Sequence, residues 1–254
     1  MKKFIQSFKE IDRKLACVIL ADIAFYAAIT LGAIISLKIA AAGISAFSQI
    51  PVEMLDINKL SEMSQFDAGL DETIKLMGAF KSKISISIAV FLTIFFAAFT
   101  IFKGIAWAIV TRQKLSRKYF LQFFKLMLLM LGGTVILLAL LFWATLPAAT
   151  GFLMLLTISI ASYIIPITCA VFKPSKTIKE LLKQMWHVGI ERFYYFILPI
   201  IASGAILLTL ILITAAIGML MNRPTAVSLM MLTAIIIWQS WMKYYIYTIA
   251  RGIK

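Results

Sequence analysis

Long apolar stretches, separated by short basic segments, dominate the pattern of this chain. Six of them predict membrane-spanning helices, near residues 15–38, 84–102, 126–146, 148–172, 194–221 and 225–248. A helix needs roughly 20 mainly apolar residues to cross the hydrocarbon core of a bilayer. A backbone in lipid must also satisfy its own hydrogen bonds, which favours helices. Pro147 and the Arg223-Pro224 pair indicate the two tightest reversals, because proline starts a helix well but cannot continue one.

The composition points to the same environment. The chain is 62% hydrophobic and only 14% charged, whereas about a quarter of the residues in ordinary domains are charged. The first apolar stretch is longer than a signal-peptide core and lacks a cleavage site, so it is predicted to be a retained span. We therefore interpret residues 1–254 as a single membrane domain of the all-α class, a polytopic integral membrane protein.

Charge indicates the orientation of the spans. Basic residues are concentrated in the N-terminal tail, in segments 103–125 and 173–193, and in the C-terminal tail. More than half of the 11 acidic residues lie between Glu53 and Glu72. Since loops rich in Lys and Arg stay on the cytoplasmic side, we expect a cell-membrane protein with both termini in the cytoplasm. The six spans then form three hairpins, each preceded by a basic segment.

The basic segments mix cations with aromatic and aliphatic residues. This mixture is typical of amphipathic helices that lie at the membrane interface, with cations toward anionic headgroups. The expected headgroup contacts on the cytoplasmic side are Lys118, Lys125, Lys179, Lys183 and Arg192. The expected aromatic anchors at this interface are Trp107, Trp186, Trp241, Tyr194, Tyr195, Tyr244 and Tyr245. The net charge of +14 follows from the same distribution, so no nucleic-acid partner is inferred.

Residues 39–83 form the largest segment expected outside the cytoplasm. The first helix is predicted to continue beyond the membrane as far as Pro51. Apolar residues at steps of three, four or seven between Leu60 and Ile84 indicate an amphipathic helix that leads into the second span. The segment is thus predicted to be an outer helical hairpin. Its acidic face is either an ordinary solvated surface or a surface that attracts cations or a partner.

Asp22 is the residue most suggestive of a site, because an acid within a membrane span is costly unless it is protonated, paired or hydrated. Tyr26 lies one turn further along the same span. Gln239, Ser240 and Lys243 are expected at a similar depth in the last span, and contact with Lys243 or Gln239 would offset the cost of burying the acid. Two interpretations stay open: a structural tie between the first and last spans, or a site for a proton, a cation or a substrate.

Small residues repeat every four positions along the first span, at Ala24, Ala28, Gly32 and Ser36. Such spacing lets helices approach closely in lipid. We expect this stripe to pack against another helix of the same chain, with a homodimer as the alternative. Cys17 and Cys169 lie in apolar stretches and are expected to be small buried residues rather than a disulfide or metal pair.

The residues that several chemistries require are missing from the sequence. One histidine makes a zinc site implausible and excludes bis-histidine haem ligation. There is no Cys-x-x-Cys, no phosphate-binding Gly-rich loop with Lys-Ser or Lys-Thr, and no Gly-x-Ser-x-Gly motif. We therefore expect a protein that is not an enzyme and that holds no cofactor or metal.

Two functional classes remain. The first, which the basic and aromatic segments favour slightly, is a non-enzymatic membrane protein: a lipid-interacting scaffold or a subunit of a larger membrane complex with partner subunits. The alternative is a small-solute or ion transporter or channel that uses Asp22 in a polar bundle interior.

Overall fold

The computed structural model describes residues 14–48, 66–144, 147–221 and 224–253, and all regular secondary structure in these ranges is helical. This confirms the all-α prediction. The helices are α1 (Lys14–Phe47), α2 (Phe66–Ala98), α3 (Gly104–Thr111), α4 (Arg117–Ala144), α5 (Pro147–Val171), α6 (Ile178–Met185), α7 (Tyr194–Met221) and α8 (Pro224–Arg251). Two segments are π-helical: π1 (Phe99–Lys103) joins α2 to α3, and π2 (Trp186–Glu191) extends α6.

Five helical stretches in the described ranges are long and apolar enough to cross a membrane. They are Lys14–Ser45, Ile74–Thr111, Arg117–Trp143, Thr150–Val171 and Tyr194–Thr214. The sixth predicted span falls on α8, which is helical but is not one of these five. Its second half carries Gln239, Ser240 and Lys243, which make it more polar than the others. The chain therefore has the make-up of a multi-pass membrane protein.

Large apolar side chains are exposed along these stretches. Leu37, Phe142, Phe152 and Leu155 are each about two-thirds exposed, and Trp143 is 88% exposed. A water-soluble protein rarely leaves so much contiguous apolar surface uncovered. Lipid is the solvent that this surface matches.

The boundary between the second predicted span and the following basic segment was misplaced. Helical structure continues from Phe66 through Thr111, and only the short turn 112–116 separates it from α4. Segment 103–125 is therefore the end of one long helix, a turn and the start of the next, rather than a separate helix. The prediction of helices in segment 39–83 agrees with the structure in part, because α1 continues to Phe47 and α2 begins at Phe66. Residues 49–65 of this segment lie outside the described ranges.

The described residues fall into two compact units. One is Phe25–Ala98, which contains most of α1 and all of α2. Here Phe25 packs edge-on against Phe95 at 6.3 Å between ring centroids, and the Ser87 hydroxyl donates to the Ser36 carbonyl at 2.7 Å. These contacts pair α1 and α2 within this unit.

The other unit comprises the described residues of Met1–Ala24 and Phe99–Lys254. Its helices pack as α4 on α5, α5 on α8 and α7 on α8, and α3 contacts α5 and α8. Tyr119 and Phe123 of α4 are fully buried, with their rings stacked at 5.7 Å. Phe172, just after α5, packs against both rings. This aromatic cluster lies at the centre of the unit's core.

Several predicted interfacial anchors belong instead to this core. Trp107, Trp241, Tyr244 and Tyr245 are all buried, whereas Trp186, Tyr194 and Tyr195 are exposed as an interfacial position requires. The buried four lie on α3 and α8, whose packing against each other and against α5 covers them. Aromatic residues near the end of a span are suited both to the interface and to a protein core. Residue type alone therefore led to the wrong assignment of these four residues.

Segment 173–193 contains the helix α6, and the apolar side of this helix is buried in the protein. Thr177 and Glu180 cap the start of α6 reciprocally, since each side chain accepts a hydrogen bond from the other's backbone N–H. Leu181, Met185 and Val188 are buried in the protein core. The apolar face of α6 and π2 thus docks on the protein, and Lys179 and Lys183 remain exposed.

The two cysteines differ in environment. Cys169 is buried as expected, but Cys17 is exposed, so the prediction for Cys17 is wrong. Cys17 lies about one turn into α1, where the neighbouring Val18 is buried. Neither cysteine forms a disulfide.

Candidate functional site

Asp22 is the centre of the candidate site. It lies on α1, about 12 Å along the helix axis from Lys14 at 1.5 Å per residue, and is completely buried. A buried carboxylate is tolerated only if it is paired and hydrogen-bonded. Its partners therefore determine what the site is able to do.

Three side chains donate hydrogen bonds to the two carboxylate oxygens. Lys103 Nζ lies 2.8 Å from Asp22 Oδ1. Ser240 Oγ and Lys243 Nζ lie 2.6 Å and 2.5 Å from Asp22 Oδ2. The carboxylate thus joins α1 to π1 and to α8, and both of its oxygens are occupied. We call Asp22, Lys103, Ser240 and Lys243 the Asp22 centre.

The positions of the donors follow from helix geometry. Ser240 and Lys243 are three residues apart on α8 and therefore share one face. Lys103 is the last residue of π1, where the helix is wider than an α-helix. Such segments hold an extra residue per turn and occur often at functional sites. Thr100 and Lys103 of this segment are both buried, so π1 turns them toward the interior of its unit.

The Asp22 centre contains two basic side chains and one acidic side chain. Lys103 and Lys243 are each 7% exposed, and both pair with the same carboxylate. A metal or other cation at this carboxylate would lie beside two ammonium groups, so a cation site is electrostatically disfavoured.

The sequence predicted part of this cluster. The structure brings Ser240 and Lys243 to Asp22. Gln239 is half-buried next to Ser240. Tyr26 belongs to the Phe25–Ala98 unit, where its ring lies edge-on to Phe25 at 5.4 Å.

Lys103 was the partner that sequence reasoning missed, because its charge was counted as a marker of the cytoplasmic side. One signal was available. The residues that follow it, from Gly104 to Val110, are all apolar or aromatic, so the apolar stretch continues past the lysine. A lone lysine inside such a stretch suggests a paired, buried cation.

The predicted packing stripe contributes to the α1–α2 pairing within the Phe25–Ala98 unit. Gly32 is so close to Ile94 that a Cβ at this glycine would lie 2.8 Å from Ile94 Cγ2. Ser36 is buried and its carbonyl accepts the bond from Ser87. Ala24 and Ala28 are half-buried on the same helix. These contacts favour the intrachain interpretation of the stripe.

The predicted lipid-contacting cations are accessible. Lys118, Lys125, Lys179 and Lys183 are exposed, and Arg192 is half-buried. His187 lies in π2, and its Nδ1 lies 2.6 Å from Glu191 Oε2 in a partly exposed pair. Exposed pairs of this kind add little to stability.

The hydroxyl groups of α5 and α7 bond mainly to their own helices. Thr168 donates to the Ile164 carbonyl, Ser203 to Ile200 and Thr209 to Ala205. Tyr163 differs, because its hydroxyl donates to the Gly189 carbonyl at 2.7 Å and so fixes π2 to α5. Pro166 and Pro199 lie within α5 and α7 without ending them.

Two cavities lie near helix ends, one where α3 and α5 end and the other where α1 begins and α3 ends. One of about 280 Å³ is bordered by Thr111, Phe172, Lys173 and Tyr247, and one of about 400 Å³ by Lys14, Cys17, Arg112 and Lys114. Neither is lined by a residue of the Asp22 centre. Within the described ranges, no three His, Cys, Asp or Glu side chains come close enough together to hold a metal ion.

The sequence and the structure were also compared with known proteins. Comparisons with protein-family models, with curated proteins and with solved structures found no match.

Proposed function

We propose that this chain is a non-enzymatic multi-pass membrane protein that acts as a lipid-interacting scaffold or as a subunit of a larger membrane complex. In this proposal the Asp22 centre is a structural tie that fixes α1 to π1 and α8. The six-span arrangement, with α8 as the sixth span and both termini in the cytoplasm, belongs to the same proposal.

One observation carries it. The Asp22 carboxylate is completely buried, and both of its oxygens already accept hydrogen bonds from Lys103, Ser240 and Lys243. A carboxylate that binds a transported solute needs a free oxygen and a path to it. The surrounding core is packed, and the two cavities border other residues. These features favour a tie over a binding site.

The proposed contact with lipid rests on the exposed cations and aromatic residues that flank the core. Lys179 and Lys183 of α6 are exposed, and Trp186, Phe193 and Tyr194 next to them are each about half exposed. Cations toward anionic headgroups and aromatic rings at the headgroup level form the usual arrangement at an interface. This surface is the side on which we expect the cytoplasmic leaflet.

The test of the tie replaces the three charged members of the Asp22 centre by apolar residues. Breaking a buried ion pair costs about 3–5 kcal/mol, whereas replacing all its members with apolar residues is often neutral or stabilising. The variant Asp22→Leu/Lys103→Met/Lys243→Met should therefore unfold with a free energy close to that of the unmodified protein. Asp22→Leu alone should be strongly destabilised, because it leaves two buried amines without their acid.

The scaffold proposal is tested on the same variant in its native membrane. The full chain, extracted with its surrounding lipid, should retain the same proteins and lipids whether or not the Asp22 centre is present. Loss of all retained partners from a variant that remains folded would show that the centre itself performs the function. The proteins and lipids retained by the variant Lys179→Gln/Lys183→Gln are compared with these. A partner that this variant alone loses binds through the lipid-facing cations.

The transporter alternative keeps one specific observation in its favour, the two buried lysines that share the Asp22 carboxylate. Burying charged amines is costly, and release of a proton or arrival of an anion would lower that cost. In sealed vesicles, the unmodified protein would then carry a proton or chloride current that the triple apolar variant lacks. Equal fluxes in vesicles with and without the protein would exclude this alternative.

A further inference from the structure

A basic groove lies where α1 begins and α3 ends. Its volume is about 400 Å³. Its lining consists of three cations, Lys14, Arg112 and Lys114, together with Gln113 and the small or apolar residues Cys17, Ala108 and Ile109. All of these residues belong to the same compact unit. Among the described residues, no acidic side chain borders the groove.

The turn that carries two of the cations is firmly held. The backbone N–H of Gln113 donates to the Ala108 carbonyl at 2.8 Å, which closes the end of α3. The Gln113 side-chain amide donates to the Phe172 carbonyl at 2.5 Å. Arg112 and Lys114 flank this anchored residue, so their backbones are fixed before any ligand arrives. A preformed site loses less conformational entropy on binding.

Arg112 occupies a backbone conformation that normally selects glycine. It follows the last residue of α3 with φ of 56° and ψ of 38°, the left-handed conformation. It is the one non-glycine residue with positive φ in the described ranges. Helices commonly end with glycine at such a position. An arginine here has a backbone cost that glycine would avoid, which indicates that its guanidinium group has a use.

The groove lies at the depth of lipid headgroups. The candidate span Lys14–Ser45 begins at one wall, the candidate span Ile74–Thr111 ends at the other, and the next candidate span begins at Arg117. Residues at the ends of spans lie near the membrane–water boundary. Cys17, Ala108 and Ile109 lie further into these spans than the three cations, and therefore nearer to the region where acyl chains begin.

We propose that the basic groove binds the phosphate-bearing headgroup of an anionic phospholipid. Arg112 offers a planar fork of donors that matches phosphate oxygens, and Lys14 and Lys114 add point charges. The first part of an acyl chain lies along the apolar wall. This site is separate from the exposed cations of α4 and α6 and does not depend on the role of the Asp22 centre.

Cys17 provides the readout, since it borders the groove and is exposed while Cys169 is buried. The full chain in a neutral detergent is alkylated with an uncharged maleimide, and the rate is measured with added short-chain phosphatidylglycerol, short-chain phosphatidylcholine or inorganic phosphate. Cys17→Ser sets the background rate. Phosphatidylglycerol should slow alkylation in a saturable manner, whereas phosphatidylcholine and inorganic phosphate should leave the rate nearly unchanged.

Charge-matched variants locate the site. Because each cation near an anionic headgroup contributes roughly fivefold to affinity, Arg112→Gln/Lys114→Gln should raise the half-protecting lipid concentration about tenfold or more. Lys179→Gln/Lys183→Gln removes the same charge from α6 and should leave that concentration nearly unchanged. Arg112→Gly should weaken protection while unfolding at the same or a higher temperature, which distinguishes loss of the ligand from loss of the fold.

Three outcomes would overturn the proposal. Equal protection by inorganic phosphate would assign the groove to a soluble phosphate, and equal protection by phosphatidylcholine would show that apolar contact alone is responsible. Equal weakening by the α6 variant would mean that lipid is attracted by diffuse surface charge. None of these results bears on the Asp22 tie, which is tested by the apolar triple variant.

Discussion

Lys103 Nζ lies 2.8 Å from Asp22 Oδ1, across 81 residues of sequence. Lys243 pairs with the other carboxylate oxygen. One acid therefore serves two amines, and the consequences of removing the acid and of removing one amine should differ.

The first prediction follows from this stoichiometry. Asp22→Ala removes the carboxylate to which both buried amines donate and should lower the free energy of unfolding by about 3–5 kcal/mol. Lys103→Met and Lys243→Met each leave a neutral pair and should cost distinctly less. The measurement is chemical unfolding of the purified variants in detergent. Equal losses for all three variants would contradict the idea that one carboxylate serves both amines.

The second prediction concerns the packing of α1 on α2. A Cβ at Gly32 would lie 2.8 Å from Ile94 Cγ2, whereas nothing lies within 4 Å of a Cβ at Gly78. Gly32→Ala should therefore destabilise by about 1–3 kcal/mol through overpacking. Gly78→Ala, the matched control in the same unit, should stabilise by up to about 1 kcal/mol, because alanine favours a helix over glycine. Thermal unfolding distinguishes the two, and a neutral Gly32→Ala would argue against the close α1–α2 contact.

The third prediction tests the aromatic cluster around α4. The buried Tyr119 hydroxyl donates to the Gly104 carbonyl at 2.9 Å, directly after π1. Tyr119→Phe keeps the stacked ring but leaves this carbonyl without its donor, at a cost of about 1–3 kcal/mol. Tyr194→Phe, at a half-exposed ring, is the control and should change stability by less than about 0.5 kcal/mol.

The fourth prediction concerns the sidedness of Cys17. In the proposed orientation, a membrane-impermeant maleimide should label Cys17 in inverted vesicles but not in intact cells. Cys169 should resist the reagent in both preparations, because it is buried. The reporter Cys17→Ser/Ser61→Cys, in the segment predicted to be outside, should show the opposite behaviour. Labelling of Cys17 from outside intact cells would reverse the orientation.

The helices were predictable from the sequence wherever their bounds follow from a starting proline or from the length of an apolar stretch. The predicted spans 148–172, 194–221 and 225–248 correspond to helices Pro147–Val171, Tyr194–Met221 and Pro224–Arg251. Proline at the first position of two of these helices gave a clear start signal. Orientation relative to a membrane remains a prediction.

The contacts around Asp22 were predictable only in part. Ser240 and Lys243 were expected at its depth, since the last span runs back toward the same face. Lys103 was not, because its charge resembles an interface marker unless its distant partner is known. The burial of Trp107 and Trp241 was missed for a related reason. An aromatic ring near a span end is suited to lipid headgroups or to a core, and only the packing of α3 and α8 decides.

The π1 segment has a consequence for how this chain could change over evolutionary time. Successive residues of a helix point about 100° apart around its axis. Deletion of any one residue between Phe99 and Lys103 would therefore rotate the lysine away from its acid, even if no charged residue were touched. The contact between Lys103 and Asp22 therefore depends on the number of residues in π1. Homologous chains that shorten this segment by one position should also have exchanged the acid on the first helix for an uncharged residue.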